Sequence, residues 1–185
     1  MILPIRVFGD PILKERATDV TENTPELQQL IDNMIETMHG ASGIGLAATQ
    51  VGRRERVFVV DVTPREDEVE EELPPQPMVL INPEIVESSE ERVEYEEGCL
   101  SIPDLNEPVQ RPERIRIRYL DREFVEHELE VGGVLARVFQ HEFDHLEGIL
   151  FIDHLSPLKR RLLKRRLRDM ARGNVTAEYP VTWGD

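Results

Sequence analysis

The chain has 185 residues, 39% of them hydrophobic and 32% charged, and a formal net charge of −15 at pH 7. This length and composition predict one globular domain over residues 1–185, and the negative charge argues against a general nucleic-acid-binding surface, so no DNA partner is expected. No apolar run approaches membrane-spanning length, the N-terminus does not resemble a signal peptide, and the single cysteine fits a reducing compartment. We therefore expect a cytoplasmic protein without a membrane partner.

The first predicted element is a helix over residues 25–39. Its apolar residues recur at three- and four-residue spacing, which places them on one face of a helix. Thr24 is a suitable N-cap, Pro25 suits the first helical position, and Gly40 suits the end.

Several strands are predicted in the middle of the chain. Residues 56–62 are a short apolar run typical of a buried strand, and residues 78–83 form another. Between them, the acidic and proline-rich residues 65–77 predict a solvent loop that buries nothing. Residues 114–120 and 124–131 alternate polar and apolar side chains around a tight connection, which predicts an antiparallel hairpin.

Two helices follow the hairpin. The first runs from about Val134 to Leu146, and the second begins with Ser156 as N-cap and Pro157 at N1 and ends near Gly173. Strands in the middle and helices toward the ends favour an α+β fold over a parallel βαβ sheet. We expect small antiparallel or mixed sheets packed around the helix that carries residues 141–145, plus a C-terminal helix.

The last helix, residues 157–172, is basic on an otherwise acidic chain. Residues 154–172 contain eight Lys/Arg and one acid, Asp169. This charge suits contact with RNA phosphates, but a solvated amphipathic helix is an alternative, and both can hold. In the alternative, four leucines pack inward: Leu158, Leu162, Leu163 and Leu167.

Residues 141–145, HEFDH, place two histidines four apart in a predicted helix. His141 and His145 then share one face and can hold the same metal ion through imidazole nitrogens. Glu142 is rotated by about 100° from His141 and suits a general base acting on a metal-bound water. A solvated face that happens to carry this pattern is the alternative, and Phe151 stands where a longer metalloprotease pattern has a third histidine.

Cys99 is a candidate third ligand. A thiolate binds borderline divalent metals strongly, and two histidines with one cysteine leave a fourth position open, as in catalytic sites. A small buried hydrophobe is the alternative role of a lone cysteine. The preceding Gly98 indicates a bend or a close approach of the backbone.

Residues 43–50, GIGLAATQ, superficially match a dinucleotide-binding pattern. They follow a helix rather than a strand and leave no room for a crossover helix, which argues against that function. They are either a glycine-rich connection between a helix and a strand or a backbone that lies along an extended substrate. In the second case Gln50 would donate a hydrogen bond into the site.

The motifs GIGLAATQ (43–50), EGCLS (97–101) and QHEFDHLEG (140–148) together resemble the three signature motifs of peptide deformylases. The resemblance implies an enzyme that removes the formyl group from the N-terminal formyl-methionine of new polypeptides and releases formate. It also implies one divalent metal on Cys99, His141 and His145. Fe²⁺ is the expected ion, and Zn²⁺, Ni²⁺ or Co²⁺ are possible replacements.

The resemblance also implies roles for further residues. Glu142 would act as general base and then acid, while the Gln50 side chain and the Leu100 backbone N–H stabilise the oxyanion. Gly45 would pair with the peptide backbone. The remaining substrate-binding candidates are Ile44, Val138 and His141 as walls of the methionine pocket, and Glu97. Asp144 either orients a ligand histidine or is a surface acid.

Two features of the sequence depart from the family pattern, and three further expectations concern partners and oligomeric state. Asn106 stands where the family often has an arginine that contacts the peptide, and the acidic loop 65–77 is longer than in compact members. The expected partners are formyl-methionyl nascent peptides and, through the basic helix 157–172, the ribosome; we expect a monomer. A metalloendopeptidase and a catalytically silent metal- or ribosome-binding module remain as alternatives.

Overall fold

The computed structural model describes residues 1–184. In chain order its strands and helices are β1 (Ile5–Arg6), α1 (Pro25–Gly40), β2 (Gly45–Ala47), β3 (Val57–Val60), β4 (Met78–Ser88), β5 (Arg92–Cys99), β6 (Ile102–Pro112), β7 (Arg114–Leu120), β8 (Glu126–Gly132), α2 (Gly133–Leu146), α3 (Pro157–Ala171) and β9 (Val181–Thr182).

The largest sheet has five antiparallel strands in the order β2-β3-β4-β7-β8. The predicted hairpin is confirmed: β7 pairs with β8 from Arg114 opposite Gly132 to Leu120 opposite Glu126. The predicted strands at 56–62 and 78–83 are also present as β3 and β4, although β4 continues to Ser88. The short strand β2 lies at one edge of the sheet.

Two small sheets flank this main sheet. Strands β5 and β6 form a long antiparallel hairpin, with Arg92 opposite Pro112 and an irregularity in register after Gly98. Strands β1 and β9 pair in parallel and bring the two ends of the chain together. The α+β prediction, with small antiparallel and mixed sheets, is therefore confirmed.

The three predicted helices are present, and α1 and α3 begin at the predicted caps. The Thr24 hydroxyl accepts a hydrogen bond from the Leu27 N–H at 3.1 Å, and the Ser156 hydroxyl accepts one from the Lys159 N–H at 3.2 Å. Helix α2 is apolar over a wide arc and is buried over most of its length, where it packs against β2, β3 and β8. This central position puts residues 141–145 inside the protein.

The acidic segment 65–77 differs from the prediction. Val69 and Leu73 are partly buried against the hydrophobic cluster that contains Phe139. These two apolar residues are four positions apart and both pack against this cluster, while the surrounding acidic side chains are exposed. Glu71 pairs with Arg114 at 2.5 Å. The expectation that this segment buries nothing was wrong.

Helix α3 packs on a narrower face than predicted. Leu167 is buried and Leu163 is partly buried, as expected, but the side chains of Leu158 and Leu162 are 68% and 71% exposed. Successive residues turn by about 100° around a helix, so these two leucines lie on a different side from the packed pair. Among residues 1–184, no helix is both long and apolar enough to cross a membrane.

Candidate active site

Three potential metal ligands converge at the C-terminal half of α2. A side-chain ligand atom from each of Cys99, His141 and His145 lies within 4.8 Å of the other two. The helix places the two histidines on one face with ring centroids 5.0 Å apart, and Cys99 Sγ lies 3.3 Å from His145 Nε2. The third candidate ligand therefore comes from the end of β5, 42 positions before His141.

The β5–β6 hairpin holds Cys99 against the helix. Gly98 lies opposite Asn106, and a Cβ at Gly98 would collide with the Asn106 side-chain oxygen. A glycine at this position lets the Asn106 side chain lie against the strand where the register changes, and any Cβ would displace that side chain. The predicted close approach at Gly98 is confirmed.

Glu97 orients the first histidine. Its Oε1 lies 2.8 Å from His141 Nδ1, and its carboxylate accepts hydrogen bonds from Arg111 and Arg137 at 2.7 Å each. Burial opposes ionisation of Glu97, but the hydrogen bonds from His141 and Arg111 outweigh burial and hold its pKa well below the usual range. A charged acceptor on Nδ1 leaves Nε2 of His141 free to face the other ligands.

The contacts of Glu97 favour a different role from the predicted substrate contact. Both of its oxygens are engaged by His141, Arg111 and Arg137. The prediction that Asp144 orients a ligand histidine was wrong, because its Oδ2 instead accepts from Arg111 at 2.8 Å and lies 2.7 Å from His154 Nε2. The alternative of a surface acid was also wrong.

Sequence reasoning missed Arg111 and Arg137. Both side chains are buried, at 5% and 6% exposure, and both pair with Glu97. The only signal in the sequence is the cationic side chain of Arg137 inside an apolar segment, which does not identify the partner, and Arg111 has no such signal. The pairing depends on the tertiary fold, since Arg137 is 40 positions from Glu97.

The two ligand histidines have opposite proton affinities in the metal-free site. Burial disfavours charge on His141, but hydrogen bonds with Cys99 and Glu97 outweigh it and raise its pKa well above the usual value. Burial and the adjacent charge of His141 lower the pKa of His145 well below the usual value. A metal at this site would take the place of the proton on His141.

Glu142 lies beside the ligands in a buried position. Burial is the main cause that raises the pKa of Glu142, to about 7, and the negative charge of Glu97 adds to it, while His141 and Arg111 oppose it. Its Oε2 has no hydrogen-bond partner in the described part of the chain. A Cβ at Gly45 would lie 2.5 Å from Glu142 Oε1, so glycine is required for this approach.

These residues fit a divalent metal. One thiolate and two imidazoles suit a borderline ion and leave a coordination position open. The unpartnered Oε2 of Glu142 is the kind of buried atom that a metal-bound water would satisfy.

Gln50 points its amide nitrogen toward the ligands. Its Oε1 accepts a hydrogen bond from the Ala47 N–H at 2.9 Å, which sets the orientation of the amide group. Its Nε2 then donates to Ser101 Oγ at 3.1 Å and lies 3.5 Å from Cys99 Sγ. Strand β2 passes directly into the short turn at 48–51 that carries Gln50, with no crossover helix, which confirms the argument against dinucleotide binding.

The free edge of β2 faces a cavity of about 810 Å³. The Asp61 N–H donates to the Ile44 carbonyl at 3.0 Å, so alternation along an antiparallel strand turns the N–H and C=O of Gly45 away from β3. Nine of the ten predicted site residues line this cavity: Ile44, Gly45, Gln50, Glu97, Cys99, Leu100, Val138, His141 and Glu142. His145, the tenth, is not among the residues that line the cavity.

Comparison with known proteins decides the family. The polypeptide deformylase family model matches residues 2–161. The chain belongs to the polypeptide deformylase family. It is 63% identical over 188 residues to the peptide deformylase of Salinibacter ruber, which covers 100% of this chain and 96% of that protein. It is 45% identical over 187 residues to that of Christiangramia forsetii, covering 98% and 95%.

Solved structures agree with this family assignment. The peptide deformylase of Ehrlichia chaffeensis gives a TM-score of 0.83 at 37% identity, covering 95% of this chain and 100% of that one. That of Legionella pneumophila gives 0.81 at 40% identity, covering 93% and 96%. As a deformylase, the chain is a hydrolase that removes the N-terminal formyl group from formyl-methionyl nascent peptides, which decides against an endopeptidase and against a silent binding module.

Proposed function

We propose that the chain removes the formyl group by metal-assisted hydrolysis, with Cys99, His141 and His145 as ligands of one divalent ion. The observation that carries this proposal is the convergence of the three donors within 4.8 Å beside a buried carboxyl group. Fe²⁺ is the expected ion, and Zn²⁺, Ni²⁺ or Co²⁺ are possible replacements. A divalent metal bound there would supply Lewis acidity and lower the pKa of a bound water.

Glu142 is the proposed general base and acid. Its unpartnered Oε2 takes a proton from the water that attacks the formyl carbon, and then delivers it to the leaving amine. In the metal-free chain, burial raises the pKa of Glu142 to about 7, which favours proton uptake by this carboxyl group near neutral pH.

Two donors are proposed to stabilise the oxyanion: Gln50 Nε2 and the Leu100 N–H. Gln50 is held in place by the Ala47 N–H, and Leu100 follows Cys99 directly and lines the same cavity. Such preorganised donors typically contribute about 10²–10³ each to the rate.

The peptide is proposed to bind as an added strand along β2. The outward-facing N–H and C=O of Gly45 supply the backbone pairing, and Ile44, Val138 and His141 form walls for the methionine side chain. Glu97 is proposed to hold His141 rather than to contact the peptide. Asn106 lines the cavity where the family often has an arginine, so the proposal does not extend to peptide preference beyond methionine.

The exposed side of α3 supports the proposed contact with the ribosome. Leu158 and Leu162 are exposed on the same side as Arg161 and Arg165, which gives a face that is both basic and apolar. Such a face can meet RNA phosphates while its leucines contact a less polar surface. We further propose a single-domain, monomeric and cytoplasmic enzyme, as expected from composition.

The test is formate release from formyl-Met-Ala by protein prepared without oxygen, with metal content measured on the same sample. Rapid release with about one metal per chain supports the proposal. The same peptide without its formyl group is the control and should not be cleaved. Turnover that persists after complete removal of the metal would contradict metal-assisted hydrolysis.

A further inference from the structure

We propose that the C-terminal segment, residues 174–183, is part of the catalytic site, and that Tyr179 is a positioning residue for the Leu100 peptide group. This inference rests on the proposed function. The match to the family model ends at residue 161, so residues 174–183 lie outside the matched part of the chain. The contacts of this segment with the site are therefore a feature of this chain and of relatives that extend as far.

The segment is attached to the rest of the protein directly after Tyr179. After α3 the chain turns back, and the Ile5 N–H donates to the Pro180 carbonyl at 2.9 Å while the Val7 N–H donates to the Thr182 carbonyl at 3.0 Å. The Trp183 indole N–H donates to the Met170 carbonyl at 3.0 Å. These bonds tie the segment to β1 and to the end of α3.

Tyr179 connects this attached segment to the oxyanion side of the site. Its ring packs in the same partly buried cluster as the Leu100 side chain, and its hydroxyl donates to the Leu100 carbonyl at 2.8 Å. Ser101 is held in turn, because its carbonyl accepts from the Phe8 N–H at 2.8 Å and its hydroxyl from Gln50 Nε2 at 3.1 Å. The backbone on the C-terminal side of the proposed donor is thus fixed.

This fixation matters because the Leu100 N–H must point at charge that develops only in the transition state. The Leu100 N–H belongs to the peptide bond that joins Cys99 to Leu100. Tyr179 restrains Leu100 on its other side, through the carbonyl oxygen. Donors that are already oriented cost no rearrangement during the reaction. Loss of the hydroxyl should therefore lower kcat more than it changes KM.

The segment also borders the space proposed for the peptide. Thr176, Glu178 and Tyr179 line the same cavity as Gly45 and Glu142. The lining of this cavity is therefore built partly by residues from the C-terminal segment. Tyr179 therefore borders the candidate active site and does not lie on a distant surface.

The test compares Tyr179→Phe with Tyr119→Phe, which removes a tyrosine hydroxyl from β7 at a residue that does not line the cavity. Losing one hydrogen bond of this kind is expected to lower kcat for formyl-Met-Ala about three- to tenfold. KM and metal content should stay at wild-type values in Tyr179→Phe, and the melting temperature should fall by no more than about 2–4 °C, the cost of one lost hydrogen bond. Tyr119→Phe should keep the wild-type kcat.

Three results would overturn the positioning role: an unchanged kcat in Tyr179→Phe, an equal loss in Tyr119→Phe, or a loss that comes with lower metal content or with a melting temperature lower by more than about 4 °C. The last would show that the hydroxyl only maintains the fold. Failure of the proposed function is distinguishable, because the metal-loaded wild-type chain would then release no formate at all.

Discussion

Replacing Glu142 with Gln should remove catalysis while leaving the metal ligands intact. The amide has nearly the same shape as the carboxyl group but cannot exchange a proton, so kcat should fall by at least about 10²-fold. The same substitution should stabilise the metal-free protein above neutral pH, because it removes a buried carboxyl group whose Oε2 has no hydrogen-bond partner among residues 1–184.

The stabilisation can be worked out from the pKa of Glu142. Burial raises this pKa from 4.5 to about 7 in the folded protein. A carboxyl group whose folded-state pKa is raised loses its favourable contribution to stability as the pH rises between the two values. The free energy of unfolding of Glu142→Gln should therefore exceed that of the wild type by less than about 1 kcal/mol near pH 5, and by about 3 kcal/mol near pH 8.

The assay is chemical denaturation of the metal-free proteins at several pH values, together with formate release after metal loading. Glu90→Gln, at an exposed residue, is the matched control and should show no such pH dependence. A difference in unfolding free energy that does not grow with pH would refute burial as the cause. Wild-type turnover by metal-loaded Glu142→Gln would refute the proton-transfer role.

Three further outcomes are expected. Gly45→Ala would place a Cβ 2.5 Å from Glu142 Oε1, so kcat should fall by up to about 10²-fold with metal content unchanged; formate kinetics and metal analysis check this, and wild-type kcat would contradict it. Although burial opposes protonation of His141, its hydrogen bonds raise its pKa well above the usual value, so Zn²⁺ binding should release protons and weaken as the pH falls. Titration calorimetry in buffers of different ionisation enthalpy measures this release, and a pH-independent affinity would disprove the link. Changing Arg161 and Arg165 together to Glu should lower the salt dependence of ribosome binding, with a slope smaller by about 0.7–0.9 per lost phosphate contact, while formyl-Met-Ala kinetics stay the same; unaltered co-sedimentation with ribosomes would remove α3 as the contact.

Point substitutions suit α3 better than its deletion. Leu167 and Met170 are buried in the cluster that contains Phe151, and β9 lies beyond the helix. A chain cut after residue 156 would lose these contacts together with the basic face. Changes in ribosome binding could then not be separated from damage to the fold.

The elements that could be predicted from the sequence are those with local signals. Helices α1, α2 and α3 show apolar periodicity, α1 and α3 also begin at a side-chain cap followed by proline, and the β7–β8 hairpin alternates strictly around a tight turn. The three metal-ligand candidates also converge in the structure, although Cys99 came from chemistry and family resemblance rather than from spacing.

The missed elements depend on contacts between distant residues. Strands β5 and β6 contain many acids and prolines, which weakens any local strand signal, and their pairing is a tertiary feature. Strands β1 and β9 pair across 176 positions of the chain, Ile5 with Val181. The exposure of Leu158 and Leu162 was missed because periodicity shows which leucines share a side of a helix, but not which side is covered.

The two buried glutamates of the site show how the fold divides their roles. Glu97 and Glu142 are both nearly inaccessible to solvent, at 5% and 4% exposure. For Glu97 the hydrogen bonds from His141 and Arg111 outweigh burial and keep its pKa low, so it stays ionised and holds His141. For Glu142 burial dominates, and the charge on Glu97 raises its pKa further.

Residues with such opposed surroundings are suited to different tasks. A permanently charged carboxylate can orient a ligand but cannot exchange protons at neutral pH, whereas a carboxyl group with a pKa near 7 can. Because the charge on Glu97 itself helps to raise the pKa of Glu142, the residue that orients His141 would also favour the proposed proton transfer by its neighbour. Arg111 and Arg137 both pair with Glu97. The charge of Arg111 also lowers the pKa of Glu142, so at that residue it acts against burial.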